Sequence, residues 1–347
     1  MFSTNRRLTL CALALVLAAA ACGNSASSVE PKPVEPDAPK VTHPLTGVEF
    51  EGTPDWQNRA PLAIKIGNAA PERPQAGLEK ADLTYEELVE GGGTRFMAIF
   101  STSDVSRVGP VRSARKVDPT LLAPLNALFG YSGGAPSTIR VLRSSPGFTD
   151  VGVDRASGAY HRDRNRNSPY NLYTSTAELW SGREGRPPAA QFSFLKESDD
   201  AGGGSEEQAT DVRFSFAGTG PDIHYVYDSS TGHYKRLLGD SPHLGEGSVP
   251  LTYRNLVVQS VQISAGYSID KAGFRTYDIA TTGSGSVVIF RGGKAFRGTW
   301  ERSSNTDTTK FLNEAGQPIS LAPGNTMIEL LPQGRPVTVA GPPAPAA

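Results

Sequence analysis

Cysteine is almost missing from this chain of 347 residues, which holds two, Cys11 and Cys22. Cys11 lies in an apolar leader, so the matured chain keeps Cys22 alone and can close no internal disulfide. A surplus of one charge sign is missing too. Lys and Arg number 34 against 35 Asp and Glu, so any charged surface must come from asymmetry between regions. The run LTLCALALVLAAAA is too short, and too alanine-rich at its end, for a comfortable transmembrane helix. There is no internal repeat, no Lys-Ser/Thr ending of a P-loop, no H-E-x-x-H and no D-x-D-x-D-G loop. Nucleotide binding, a cofactor and a metal site therefore lack a supporting motif.

What is present at the N-terminus is a leader. Arg6 and Arg7 precede the apolar run, and small residues precede Cys22, the layout of a secretory signal over residues 1–21. Ala20 and Ala21 before Cys22 look like a lipobox, in which the cysteine thiol receives a diacylglycerol. Ala19 departs from the Leu or Val usual there, which keeps plain secretion as the alternative. Residues 22–44 are proline-rich and charged, and read as an extended, disordered spacer. The expected location is outside the cytoplasm, anchored to the outer face of the membrane through lipidated Cys22. That location excludes nucleic acid as a partner. Teichoic-type polymers, lipid-linked pyrophosphates and peptidoglycan carboxylates are the anions it leaves.

Two regions of domain size follow, 45–195 and 211–332, separated by the glycine-rich acidic stretch 196–210 and followed by a tail, 333–347. In the first, PLAIKIG, LTYEELVE, RFMAIFS and NALFGYS read as strands, APSTIRVLRS as a helix, and a further helix is expected to start near Arg112. An α/β layer with a central sheet is the economical reading. The second region is nearly all strand, which predicts a sandwich or open barrel. Its FRGGKAFRG is a hairpin candidate, because Gly292 and Gly293 can supply the φ > 0 conformations of a tight turn. The fold class expected for the whole is α+β.

Several stretches taken together carry a family resemblance. RPQAGLEKADLTYEELVEGGGTRFMAIFS, then VGPVRSAR, then SPYNLYTS, with RGTWERS and LAPGNTMIELLP downstream, resemble the YerB-like bacterial lipoproteins, a family of unknown function. The similarity runs from about Pro44 to Pro332. It implies an envelope lipoprotein with an α/β region followed by a β-rich one, and implies no chemistry.

The residues themselves single out VGPVRSARK. Between Arg95 and Arg166 there are eleven Lys or Arg against five Asp, and ten of the eleven are arginine. The planar guanidinium suits bidentate recognition of phosphate or carboxylate, whereas lysine would serve solubility alone. Arg112 and Arg115, at i and i+3, would share a face in a first helical turn, where free N–H groups favour an anion. The bland alternative is that these arginines pair with Glu86, Glu87, Glu90 or Asp104.

Other patterns weigh less. EGGGTR joins two strands. GYSGG matches a nucleophile elbow, but no acid and histidine follow Ser132 at suitable spacing. The polar stretch YHRDRNRNSPYNLYTS reads as a loop whose Asn171 and Tyr173 could grip a sugar or peptide. His224, His233 and His243 have no cysteine partner and read as strand or surface residues. The sequence thus points to a non-catalytic binder of an anionic cell-wall component through Arg95, Arg112 and Arg115, with Asn171 and Tyr173 as neighbouring contacts. An envelope hydrolase or transferase on a glycan or polyprenyl-pyrophosphate, and a regulator docking on a cell-wall synthase, are the alternatives.

Overall fold

Residues 39–196, 207–218, 222–269 and 273–341 are described in the computed structural model. Cys22, the expected leader and most of the expected spacer lie outside them. Eleven strands make one mixed sheet that draws on both sequence regions. In chain order they are β1 (Leu62–Gly67), β2 (Leu83–Leu88), β3 (Thr94–Phe100), β4 (Ala127–Gly130), β5 (Phe148–Asp150), β6 (Glu207–Gln208), β7 (Asn255–Val261), β8 (Gly283–Arg291), β9 (Lys294–Arg302), β10 (Lys310–Leu312) and β11 (Thr326–Pro332). Their lateral order is β6-β9-β8-β7-β11-β2-β3-β1-β4-β5, with β10 also pairing β9. The join between the regions is β11, which runs parallel to β7 on one side and to β2 on the other.

Because side chains alternate along a strand, the sheet has two buried faces. Leu62, Ile64, Ile66, Phe96, Ala98, Leu256, Val258 and Met327 share one core with a second sheet. Ala63, Met97, Ile99, Val257, Ile289 and Ile328 share the other core with Leu121 and Leu122 of α1 (Asp118–Leu122) and Leu142 of α2 (Pro136–Ser144). The second sheet has six strands, with Asp211–Phe214, Ile223–Asp228 and His233–Leu238 at its centre. The α+β expectation holds. The β-rich half is two-layered, but one of its layers is the continuation of the first region's sheet.

A polar layer is sealed between the two sheets. Glu86 and Glu329 are cross-strand neighbours on β2 and β11, and both are fully buried. Arg236 Nη2 donates to Glu86 Oε2 at 2.6 Å, and Tyr225 OH donates to Glu329 Oε1 at 2.5 Å. Burial, and then the Glu86 charge beside it, push the Glu329 carboxyl well above its ordinary range, so one proton is retained and Arg236 balances one charge.

Several expected boundaries move. Lys40–Thr42, inside the expected spacer, pairs with Glu49–Glu51. Glu207–Gln208, inside the expected linker, adds to β9, and Thr338–Ala340, in the expected tail, adds to Asp211–Arg213. Each satisfies backbone groups by pairing with another strand, which composition does not report. The stretch expected to be a loop after Tyr160 folds back as a hairpin, Tyr160–Arg162 against Leu172–Thr174. GYSGG forms a turn into α2, with the Ser132 amide donating to Arg112 O at 3.0 Å.

The helix expected at Arg112 is absent. Residues 108–114 form an extended strap clamped on both sides. Val108 and Val111 donate to Thr174 O and Leu172 O, each at 2.7 Å, and Arg112 donates to Lys65 O at 2.9 Å. With these amides taken by neighbouring chain, no helical i to i−4 ladder can form. The helix starts only at Asp118 and lasts five residues.

Candidate functional site

The strap, β1, β2 and β3 bring the three predicted arginines together, but not on one helix face. Arg95 is the second residue of β3, directly across from Glu87 on β2 and Gly67 on β1. Its Nη1 donates to the Ser113 carbonyl at 2.8 Å, and the same carbonyl accepts from Arg115 Nη1 at 3.3 Å. Arg112 Nε lies 2.5 Å from Glu72 Oε1, and Arg115 pairs with Glu90. The salt-bridge alternative is therefore realised for two of the three, through Glu90 as weighed and through Glu72, which sequence reasoning missed. Of the other carboxylates considered, Glu86 pairs with Arg236, and Asp104 takes Arg59 at 2.7 Å.

Glu72 reaches the cluster from a short 3-10 turn, Ala70–Glu72, whose Glu72 Oε2 accepts from the Ala69 amide at 2.6 Å. It lies flat on β1 because Gly67 has no side chain; a Cβ there would stand 2.3 Å from Glu72 Cδ. The one readable signal is a glycine ending a buried strand.

Arg95 is the electrostatically distinctive member. Burial, and then the charges of Arg115 and Arg112, hold its guanidinium down to about 9. Among the described residues no carboxylate is in ion-pair contact with it. Three guanidiniums thus share two carboxylates.

Beneath them lies a second buried group. Lys65 is fully buried on β1, pairs with Glu87, and donates to Asp118 Oδ1 at 2.7 Å. Asp118 Oδ2 accepts the Arg115 amide at 2.6 Å, which ties the strap to the start of α1. Burial raises Glu87 to about 7 against the opposing pull of Lys65, with the Asp118 charge adding to the rise. When Glu87 is protonated, Arg95, Arg112, Arg115 and Lys65 face Glu72, Glu90 and Asp118, a local excess of one positive charge.

Asn171 and Tyr173 are engaged elsewhere. Asn171 Oδ1 accepts from Arg162 Nη1 at 2.7 Å, and its Nδ2 donates to Asp163 O at 3.0 Å. The Tyr173 ring lies 3.6 Å under the Arg107 guanidinium, and its hydroxyl accepts from Arg166. These bonds close the Tyr160–Thr174 hairpin. The aromatic neighbour of the cluster is Tyr170, whose ring centre is 5.3 Å from Arg112 Cζ, and Arg112 Nη1 donates to Pro169 O at 3.1 Å.

The remaining motifs do not converge. His161, the histidine nearest Ser132 in sequence, lies 2.5 Å from Glu178 Oε1. His224 contacts Asp211, His233 the Thr231 carbonyl, and His243 the Arg236 and Gln75 side chains. Among the described residues no three potential metal ligands cluster, and no helix is long and apolar enough to cross a membrane.

A mixed sheet shared by an α/β and a β-rich region, with buried ion clusters on both faces, defines a two-part body. Comparison with known proteins assigns it. Residues 45–189 match the family described as "Protein of unknown function (DUF3048) N-terminal domain", and residues 211–328 match its C-terminal domain. The chain belongs to this two-domain family. It is 28% identical over 330 residues to a Bacillus subtilis (strain 168) protein named "Putative lipoprotein YerB", covering 94% of this chain and 95% of that one. The crystal structure of YerB from Bacillus subtilis superposes with a TM-score of 0.72 at 26% identity, covering 86% of this chain and all of that one.

Proposed function

We propose that this chain is a membrane-anchored envelope lipoprotein, tethered through Cys22, that binds an anionic cell-wall component without transforming it. The Arg95–Arg112–Arg115 cluster is the binding element. The lipoprotein part rests on the leader and on the name of the Bacillus relative. The binding part rests on one observation: Arg95 stands among two other guanidiniums with no carboxylate of its own in contact among the described residues. An incoming phosphate or carboxylate would relieve that repulsion and make charge-assisted bonds to a planar fork.

Arg95→Met is the discriminating change, because removing Arg112 or Arg115 would also strand Glu72 or Glu90. Polyglycerol phosphate and muramyl-peptide fragments should raise the melting temperature of the chain from Gly23 onward, since binding to the folded state stabilises it by mass action. The Arg95→Met protein should fold and lose the shift. If neither polymer moves the melting temperature, or Arg95→Met responds as the parent does, the reading is wrong.

A further inference from the structure

A cavity of about 210 Å³ lies between the two sheets, at the end of β1 and β3, and the Arg95 cluster does not use it. Thr94 lines it, while Arg95, the next residue along β3, points to the opposite face of the large sheet. The turn after β1 and the EGGGTR connection make one side, and Phe216 and Ile223 from the layer of the second sheet make the other. Phe216 is 4% and Ile223 2% exposed, so that side is a continuation of the core. Gly92 and Gly93 bring backbone alone to the wall, which leaves the space unfilled.

Arg73 is the charged side chain lining this cavity. One edge of its guanidinium is held by Asn68: Nε donates to Asn68 Oδ1 at 3.2 Å and Nη2 to Asn68 O at 2.6 Å. Asn68 is itself locked, its Oδ1 accepting from Gln75 Nε2 at 3.2 Å and its Nδ2 donating to Glu86 Oε1 at 2.9 Å and Thr94 Oγ1 at 2.8 Å. Arg73 is thus fixed in place before any ligand arrives. Its Nη1 has no acceptor, and no carboxylate is in ion-pair contact with it, among the described residues. Glu72, the preceding residue, is taken by Arg112, and Glu86 by Arg236. Burial, and then the Arg236 charge, hold the Arg73 guanidinium below its ordinary range against the pull of Glu86 and Glu72. With Glu329 keeping its proton, Arg73 is the second cation of a layer that has one ionised glutamate between the sheets.

We propose that this cavity binds a carboxylate carried on a short apolar group, its oxygens on the Nη1 edge of Arg73 and its apolar part against Phe216 and Ile223. The planar edge left by Asn68 presents donors to two oxygens, the number a carboxylate has. A phosphate would leave further oxygens against an apolar wall, where they would lose their water without a partner. The volume equals that of roughly seven waters, which admits a fragment or the end of a chain and excludes a whole sugar polymer. Two sources carry this chemistry, a free short-chain acid and the C-terminal residue of a peptide with a small side chain. The proposal does not depend on the Arg95 cluster.

Calorimetric titration of the chain from Gly23 onward with butyrate, N-acetyl-alanyl-alanine, its C-terminal amide and inorganic phosphate tests this. At least one of the two carboxylates should bind, and the amide and phosphate should bind at least tenfold more weakly than it does. The tighter of the two carboxylates identifies the source, peptide end or free acid. Arg73→Met should lose at least tenfold in carboxylate affinity and keep its response to polyglycerol phosphate, whereas Arg95→Met should bind the carboxylate as the parent does. Arg73→Lys, which keeps the charge without the planar edge, should melt as the parent and bind at least fivefold more weakly, so the point is decided even if Arg73→Met does not fold. No binding of either carboxylate, equal affinity for carboxylate and phosphate, or parent-like affinity in Arg73→Lys overturns the proposal and leaves the Arg95 reading standing. Loss of carboxylate binding in Arg95→Met alone overturns it in favour of the Arg95 cluster.

Discussion

Glu87 shows how a residue in this fold acquires a property its type does not predict. An isolated glutamate is ionised at neutral pH, but here burial lifts it to about 7 although Lys65 sits against it. Its folded pKa lies above the unfolded value, so the folded state binds the extra proton. The resulting stabilisation is complete below about pH 4.5 and is lost as pH rises through about 7. At about 1.4 kcal/mol per unit the loss is at most ~3 kcal/mol. Urea unfolding from pH 4 to pH 8 should therefore show the parent losing stability relative to Glu87→Gln across that window. Parallel curves for the two proteins would show that Glu87 titrates normally. Arg95 belongs to the same scale, because burial and the Arg115 and Arg112 charges around it hold its pKa down to about 9.

At the scale of elements, the strap 108–114 carries the site. The sequence VGPVRSARK signals a concentration of cations correctly and its backbone wrongly. Periodicity and capping rules assume that a segment satisfies its own backbone, whereas this one is satisfied by β1 and by Leu172–Thr174. Gly109 makes the passage possible. Its φ is 151°, and a Cβ would stand 2.8 Å from the Leu172 carbonyl oxygen and 2.8 Å from the Tyr173 ring. Gly52 has φ 73° with nothing within 4 Å of a built Cβ. Gly52→Ala should therefore cost about 1 kcal/mol, for the backbone alone. Gly109→Ala should cost roughly 3 kcal/mol and weaken any anion binding, because clash is added to strain. Denaturant midpoints of the two variants decide the matter, and equal losses would show that the strap can shift. The strands themselves were far more legible: PLAIKIG, LTYEELVE and RFMAIFS became β1, β2 and β3 because short apolar runs between turn residues admit few other structures.

For the whole molecule, the decisive element is β11. It pairs with β7 over Asn255–Val261 and, on its other side, with β2 from Leu83 to Glu87, so the C-terminal region completes the N-terminal sheet. Arg236 to Glu86 and His243 to Gln75 are further ties between the regions. Residues 45–195 expressed alone would expose β2 as a hydrophobic edge and leave Glu86 buried without its cation. Neither that fragment nor 211–332 should melt cooperatively by circular dichroism, while the two together should regain part of the transition. A cooperative melt of 45–195 alone, close to that of the full chain, would contradict this account of the sheet.

The sequence by itself determined the strand-rich character, the principal strands of the first region, the family resemblance, and the gathering of arginine between Arg95 and Arg166. All of these follow from local pattern and composition. Only the tertiary structure decided that the two regions share one sheet, that Glu72 comes back to Arg112, and that Asn171 and Tyr173 turn to Arg162 and Arg166. Those outcomes depend on which distant backbone and side-chain groups finish each other's hydrogen bonds once water is excluded, and spacing along one chain does not encode that partnership locally.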